Sequence, residues 1–164
     1  MSTLAVQFYD VVLWLHLAAV VVGFGSTFAY GVILAVAQRT DPRSLPGALA
    51  GVTANDRTVV TIGGTIVLVT GVYLAADAWN FSEFFIAWGI VAVLFLLGIT
   101  HGYFVPNERK AKEAAERDIE RAGTGQVELG PEVNEASAKL AKMGGFAGLV
   151  IVLTVYVMTA KPFL

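Results

Sequence analysis

The sequence predicts an all-α protein built as a four-helix transmembrane bundle. Three observations carry that expectation. Hydrophobic residues make up 56% of the 164 residues, charged residues only 15%, and mean hydropathy is +0.69; a soluble domain averages about 25% charged residues. Four stretches, about 11–36, 59–76, 84–105 and 143–160, come close to the roughly 20 apolar residues that cross about 30 Å of hydrocarbon. Ten of the eleven Lys and Arg residues fall into two of the segments between those stretches, 37–58 and 106–142. The whole chain, 1–164, therefore reads as a single integral membrane domain.

The first stretch has no charge between Asp10 and Arg39. Its start carries Asp10 rather than Lys or Arg, and its apolar run is longer than the 7–15 residues of a signal peptide, so it reads as a retained span. Asp41, Pro42, Pro46 and Gly47 mark 37–58 as turn-rich and mostly irregular. The loop 77–83 is short, which makes the second and third spans an antiparallel hairpin.

Beyond the third span, Glu108–Lys112 and Glu113–Arg117 are i,i+4 pairs in the favourable acid-first order. Ala111, Ala115, Ile119 and Ala122 form a thin apolar stripe. Together they predict a helix over 107–122, broken at Gly123, Thr124 and Gly125. Pro131, a favoured first helical residue, starts a second helix that leads into the fourth span. The 106–142 loop is thus a helical hairpin, either a solvated one or a docking surface for a protein partner. Lys139, Lys142 and Lys161 flank the fourth span, from where lysines snorkel to the interfaces.

The Lys and Arg asymmetry sets orientation. It places 37–58 and 106–142 in the cytoplasm, with the N-terminus and the C-terminus outside. Tyr9, Trp14, Tyr73, Trp79, Trp88 and Tyr156 then gather towards the outer interface as an aromatic belt. Small residues offer packing faces: Gly23, Thr27 and Gly31 on the first span, Gly63, Gly64 and Gly71 on the second, Gly98 and Gly102 on the third, Gly144 and Gly148 on the fourth.

Composition also excludes functions. A net charge of −2 and a pI near 5.6 do not suit a nucleic-acid binder, which presents a basic surface. The absence of cysteine removes disulfides, thiolate metal sites and Cys nucleophiles. No Asp, Glu, Lys or Arg stands mid-span, where proton relays and ion-coupled carriers need one. No paired carboxylates and no Ser-His-Asp set share a depth, which argues against a hydrolase. Gly23-Phe24-Gly25 lies inside a span with no strand before it, so it is not a nucleotide loop.

Two histidines remain. His16 shares a helical face with Ala19, Val20, Gly23 and Thr27, which turns it inward. It comes early in an outside-to-inside span and His101 comes late in another. At 1.5 Å per residue they differ in depth by about 15 Å or more. They are too far apart to share one haem iron or one zinc or copper ion. A haem on His16 needs a second axial ligand or an open position. Met158 stands at a similar depth to His16, and cytochromes use His/Met pairs. The alternative is a neutral His16 bonded to a Thr or a backbone carbonyl, with His101 bonded to water or Tyr103.

The stretch Leu13-Trp14-Leu15-His16-Leu17-Ala18-Ala19-Val20-Val21-Val22-Gly23-Phe24-Gly25, a His followed seven residues later by Gly in an apolar helix, resembles the first helix of a bacterial family of predicted small integral membrane proteins of unknown function. That family is distantly similar to CopD-type copper-resistance proteins and HemJ-type protoporphyrinogen oxidases. Gly71-Val72-Tyr73-Leu74 at the end of the second span and Pro106, Arg109 and Lys110 after the third agree with the layout. The resemblance implies a multi-pass protein of the bacterial cytoplasmic membrane, with His16 in the place of the HemJ-type haem ligand. Two departures stand against the nearer analogies. HemJ-type enzymes also use a basic residue inside a later span, and CopD-type proteins are richer in Met and His. The sequence therefore leads to three expectations: a haem b protein using His16 for electron transfer, a non-catalytic accessory or scaffold subunit docking a partner through 106–142, and, last, a HemJ-like oxidase.

Overall fold

The computed structural model describes residues 7–162. The expected outside positions of the two chain ends, Met1–Val6 and Phe163–Leu164, lie outside the described residues. Four long helical rods carry the apolar stretches: α1 (Phe8–Thr40), α2 (Pro42–Ala78), α3 (Phe84–Ala122) and α4 (Pro131–Ala160). No strand occurs among the described residues. Large apolar side chains such as Val21, Val22, Val69, Val91 and Leu149 coat the outside of the bundle, as a lipid-facing surface requires.

α1 and α2 are the most intimate pair. They cross where Gly23 meets Gly63: a Cβ added at Gly63 would stand 2.5 Å from Gly23 Cα, and one at Gly23 would stand 3.0 Å from Gly63 Cα. Without side chains at that point the two backbones touch. The central core forms around this crossing from Ala19, Phe24, Val60, Val67, Val93, Leu96, Ala147 and Ile151. The other expected small-residue faces behave differently. Gly148 receives the Phe28 ring, but Gly31, Gly98, Gly102 and Gly144 have nothing within 4 Å of a Cβ position among the described residues. Spacing marks a small face, while the rotation of the helix decides whether a neighbour meets it.

The segment 37–58 departs from its expected irregular form. The chain turns only at Asp41 (φ −145°, ψ 84°), whose carboxylate accepts the Arg43 N–H at 3.2 Å. It is helical again from Pro42, through a 3₁₀ turn, Leu45–Asn55 and a π-helical turn at Asp56–Val60. Pro42 and Pro46 each sit at the start of a helical segment, where the missing N–H costs nothing. Leu45, Leu49 and Val52 are buried, so tertiary packing fixes this helix. It lies against the extension of α3 and the start of α4. The result is a second core, with Ala37, Leu45, Leu49, Ala111, Ala114, Ala115, Val133 and Leu140.

The extension of α3 past Pro106, the break at Gly123 (φ 55°) and the restart at Pro131 occur as expected. The expected ion pairs do not. Glu108 is turned inward to the Thr53 hydroxyl (2.8 Å), Lys112 pairs with Glu116 (2.9 Å), and Arg117 reaches across to Glu132 on α4 (2.8 Å). Glu108 is buried and held by Thr53, while Lys112 stays at the surface with Glu116, so the two do not meet. Arg43 closes this layer by donating to the Gly123 and Gly125 carbonyls at 2.7 and 2.8 Å. This layer and the loops beside it carry ten of the eleven basic residues and form the basic end of the bundle.

At the opposite end, α2 and α3 join through a tight connection at 79–83. Ser82 N–H donates to Asn80 Oδ1 at 3.1 Å, and Ala75, Phe85, Ile86 and Val157 make a third small core. Lys161 stops α4 in a left-handed conformation (φ 42°) and lays its ammonium 3.9 Å from the centre of the Trp79 ring.

Candidate functional site

All four helices surround one apolar cavity in the half of the bundle away from the basic end. Its volume is about 250 Å³. His16 and Val20 of α1, Val67 and Gly71 of α2, Gly89 of α3 and Met158 of α4 are among its walls. His16 and Met158, linked in sequence only by expected depth, thus stand on one cavity. α1 and α4 meet nearer the basic end, at Phe28–Gly148 and through Gln38 Nε2 donating to Asn134 Oδ1 at 2.8 Å.

The hydrogen bonds around His16 define its tautomer. Nδ1 lies 2.9 Å from Thr70 Oγ1. The Thr70 hydroxyl has one proton, and it donates that proton to the Ile66 carbonyl at 2.6 Å. Oγ1 must then accept from His16 Nδ1–H. The proton sits on Nδ1 and the lone pair on Nε2, and the ring also makes a hydrogen-bonding contact with the Val67 backbone. This is the form in which an imidazole binds a metal or accepts a proton, with its other nitrogen held by an outer partner. Gly71 makes room for the ring: a Cβ there would stand 3.2 Å from His16 Cε1. Gly89 plays the same part for Met158, whose methyl lies over it.

His101 belongs to a different place. Its Nε2 lies 2.9 Å from Thr61 Oγ1, whose proton goes to the Asp56 carbonyl at 2.7 Å. Thr61 and Thr70 are nine residues apart on α2, about 14 Å by helical rise. The two histidines are therefore at different levels, as their sequence positions predict, and Thr61 rather than Tyr103 is the partner of His101.

A polar cluster near the basic end was not legible in the sequence. Asp56 and Glu108 are almost fully buried (3% and 2% exposed). Tyr30 donates to Asp56 Oδ1 at 2.8 Å, and Asn55 bridges Tyr30 and Ser26. Glu108 lies one turn beyond the apolar stretch of α3. Burial, together with the neighbouring Asp56 charge, raises its carboxyl to about 7, against the pull of the Thr53 hydrogen bond. Both carboxylates lie outside the apolar spans, so a search for mid-span charge passes over them.

A family model described as predicted integral membrane protein (DUF2269) matches residues 10–162. The chain belongs to this family. The match runs from just before the first apolar stretch to just past Lys161 and so covers all four apolar stretches of the chain. No curated protein and no solved structure matches the chain. What family membership establishes is an integral membrane protein of unknown function, in agreement with the four helices long and apolar enough to cross a bilayer.

Proposed function

We propose that the protein holds a membrane-embedded cofactor in the cavity of its outer half, and that the cofactor is haem b, serving electron transfer in a bacterial cytoplasmic membrane. The observation that carries this reading is the neutral, Nδ1-protonated His16, held by Thr70, on an apolar cavity that Met158 also lines. His16 and the Met158 thioether, which share the cavity, are the side chains that would hold the haem iron. Thr70 fixes the orientation and tautomer of the imidazole by accepting from Nδ1–H. Bound haem supplies reversible one-electron transfer; the chain supplies position, dryness and the ligand nitrogen. The donor set fits this group. The volume fits only in part, because 250 Å³ is just under the roughly 300–1,000 Å³ of pockets that enclose drug-sized ligands.

That volume favours a second reading, in which the occupant is a lipid-soluble quinol whose O–H donates to His16 Nε2. Against a partner-docking role, the Ala111–Ala115 stripe of 106–142 is already covered by Leu45 and Leu49. The HemJ-like oxidase has no support beyond the resemblance.

The test is the visible spectrum of detergent-purified protein expressed with added haem. The proposal expects a Soret band that His16→Ala abolishes, His101→Ala leaves intact and Met158→Leu shifts. A colourless wild-type protein that retains an extractable quinol supports the second reading. A colourless protein with no retained quinol overturns both.

A further inference from the structure

The basic end carries a second pocket, of about 440 Å³, between α2 and α3. Arg57, Arg109, Lys112, Glu113 and Thr53 line it. Three cations against one carboxylate leave its wall with a net charge of +2. Lys112 is paired with Glu116, but neither Arg57 nor Arg109 has an ion-pair or hydrogen-bond partner among the described residues. Both are exposed on neighbouring helices beside one pocket, so their donors are free to take an anion there. The Thr53 hydroxyl does not engage them, since it donates to the buried Glu108 at 2.8 Å.

The height of the pocket identifies the anion. Arg57 lies two residues before the apolar stretch 59–76, and Arg109 lies one turn after 84–105. Both guanidinium groups therefore stand where the hydrocarbon ends and phosphates begin. Basic pockets between transmembrane helices on the cytoplasmic side take anionic headgroups, and the planar guanidinium fork matches phosphate oxygens two at a time. We propose that this pocket binds a phosphate group, and that the source is the headgroup of an anionic phospholipid, held by Arg57 and Arg109 with Lys112 beside them. This site is separate from the His16 cavity and stands whether or not that cavity holds haem.

The test uses the full chain in nanodiscs of equal phosphatidylglycerol and phosphatidylcholine, released into detergent and weighed by native mass spectrometry. Wild-type protein should retain one phosphatidylglycerol in preference to phosphatidylcholine. A direct charge-assisted hydrogen bond from a guanidinium to phosphate is worth roughly tenfold in binding, so Arg57→Gln/Arg109→Gln should lower that preference about 100-fold at low salt. The control Arg39→Gln/Lys110→Gln removes two positive charges that do not line the pocket, and should leave the preference within about twofold. Displacement of the retained lipid by millimolar inorganic phosphate would make a free phosphate the ligand and overturn the lipid assignment. Equal losses in the two double variants, or no retained anionic lipid in the wild type, would overturn the site itself. Circular dichroism of each variant separates loss of the site from loss of the fold.

Discussion

Gly63→Ala tests the geometry on which the cavity depends. The added methyl would stand 2.5 Å from Gly23 Cα, whereas carbon atoms in contact sit about 3.5–4.0 Å apart. The clash is with backbone, so no side chain can swing aside, and α1 must part from α2 by about 1 Å or more. Overpacking of this kind costs roughly 1–3 kcal/mol. For a chain of this size, that is a fall in Tm of about 2–12 °C. The damage should also spread. His16 is seven residues from Gly23 and Thr70 is seven from Gly63, so the His16–Thr70 bond lies two turns along the same seam. The assay is thermal unfolding in detergent by circular dichroism, with Gly98→Ala as comparison, because nothing lies within 4 Å of a Cβ at Gly98. Gly98→Ala should leave Tm unchanged or slightly raised. The reasoning fails if Gly63→Ala unfolds within 1 °C of wild type, or if both variants lose stability equally.

Three further outcomes follow from particular contacts. Thr70→Val removes the acceptor that holds Nδ1–H but keeps the shape, so the imidazole should populate both tautomers in nitrogen-15 NMR, and ligand affinity should fall about 10–100-fold. Glu108 ionises near 7 in the folded protein and near 4.3 when unfolded. The unfolded chain therefore loses its proton first, and stability should decline as pH rises from about 4.5 to 7, then level off; urea or SDS unfolding across that range should show a flatter profile in Glu108→Gln. Leu49→Ala empties a fully buried position in the second core at a cost of about 2–5 kcal/mol. Hydrogen exchange should rise across 42–55 and 107–122 while 61–78 stays protected.

Much of the fold was readable because its signals are local. Apolar runs, Gly123 and Pro131 act through the residues around them, and the rods begin and end accordingly. The segment 42–55 was misread because Pro42 and Pro46 look like breakers unless they fall in a first turn. Its real signal was the spacing of Leu45, Leu49 and Val52, a helical stripe awaiting a partner that only the folded hairpin supplies. The seven-residue interval from His16 to Gly23 was visible, but its meaning was not. It places the imidazole two turns from the closest helix contact, opposite Thr70. The tautomer of His16 depends on where the Thr70 proton goes, which no one-dimensional pattern encodes. The burial of Asp56 and Glu108 has no local signal for a related reason: each is ordinary by position, Glu108 even suiting a surface pair with Lys112, and becomes buried only when the basic end folds into a layer of its own.

The most direct test of the central claim is a titration of haem into cofactor-free protein in detergent, followed at the Soret band. The account predicts saturation at one haem per chain for wild type and for His101→Ala, with no saturable band for His16→Ala. Equal affinity and an identical spectrum in His16→Ala would contradict it.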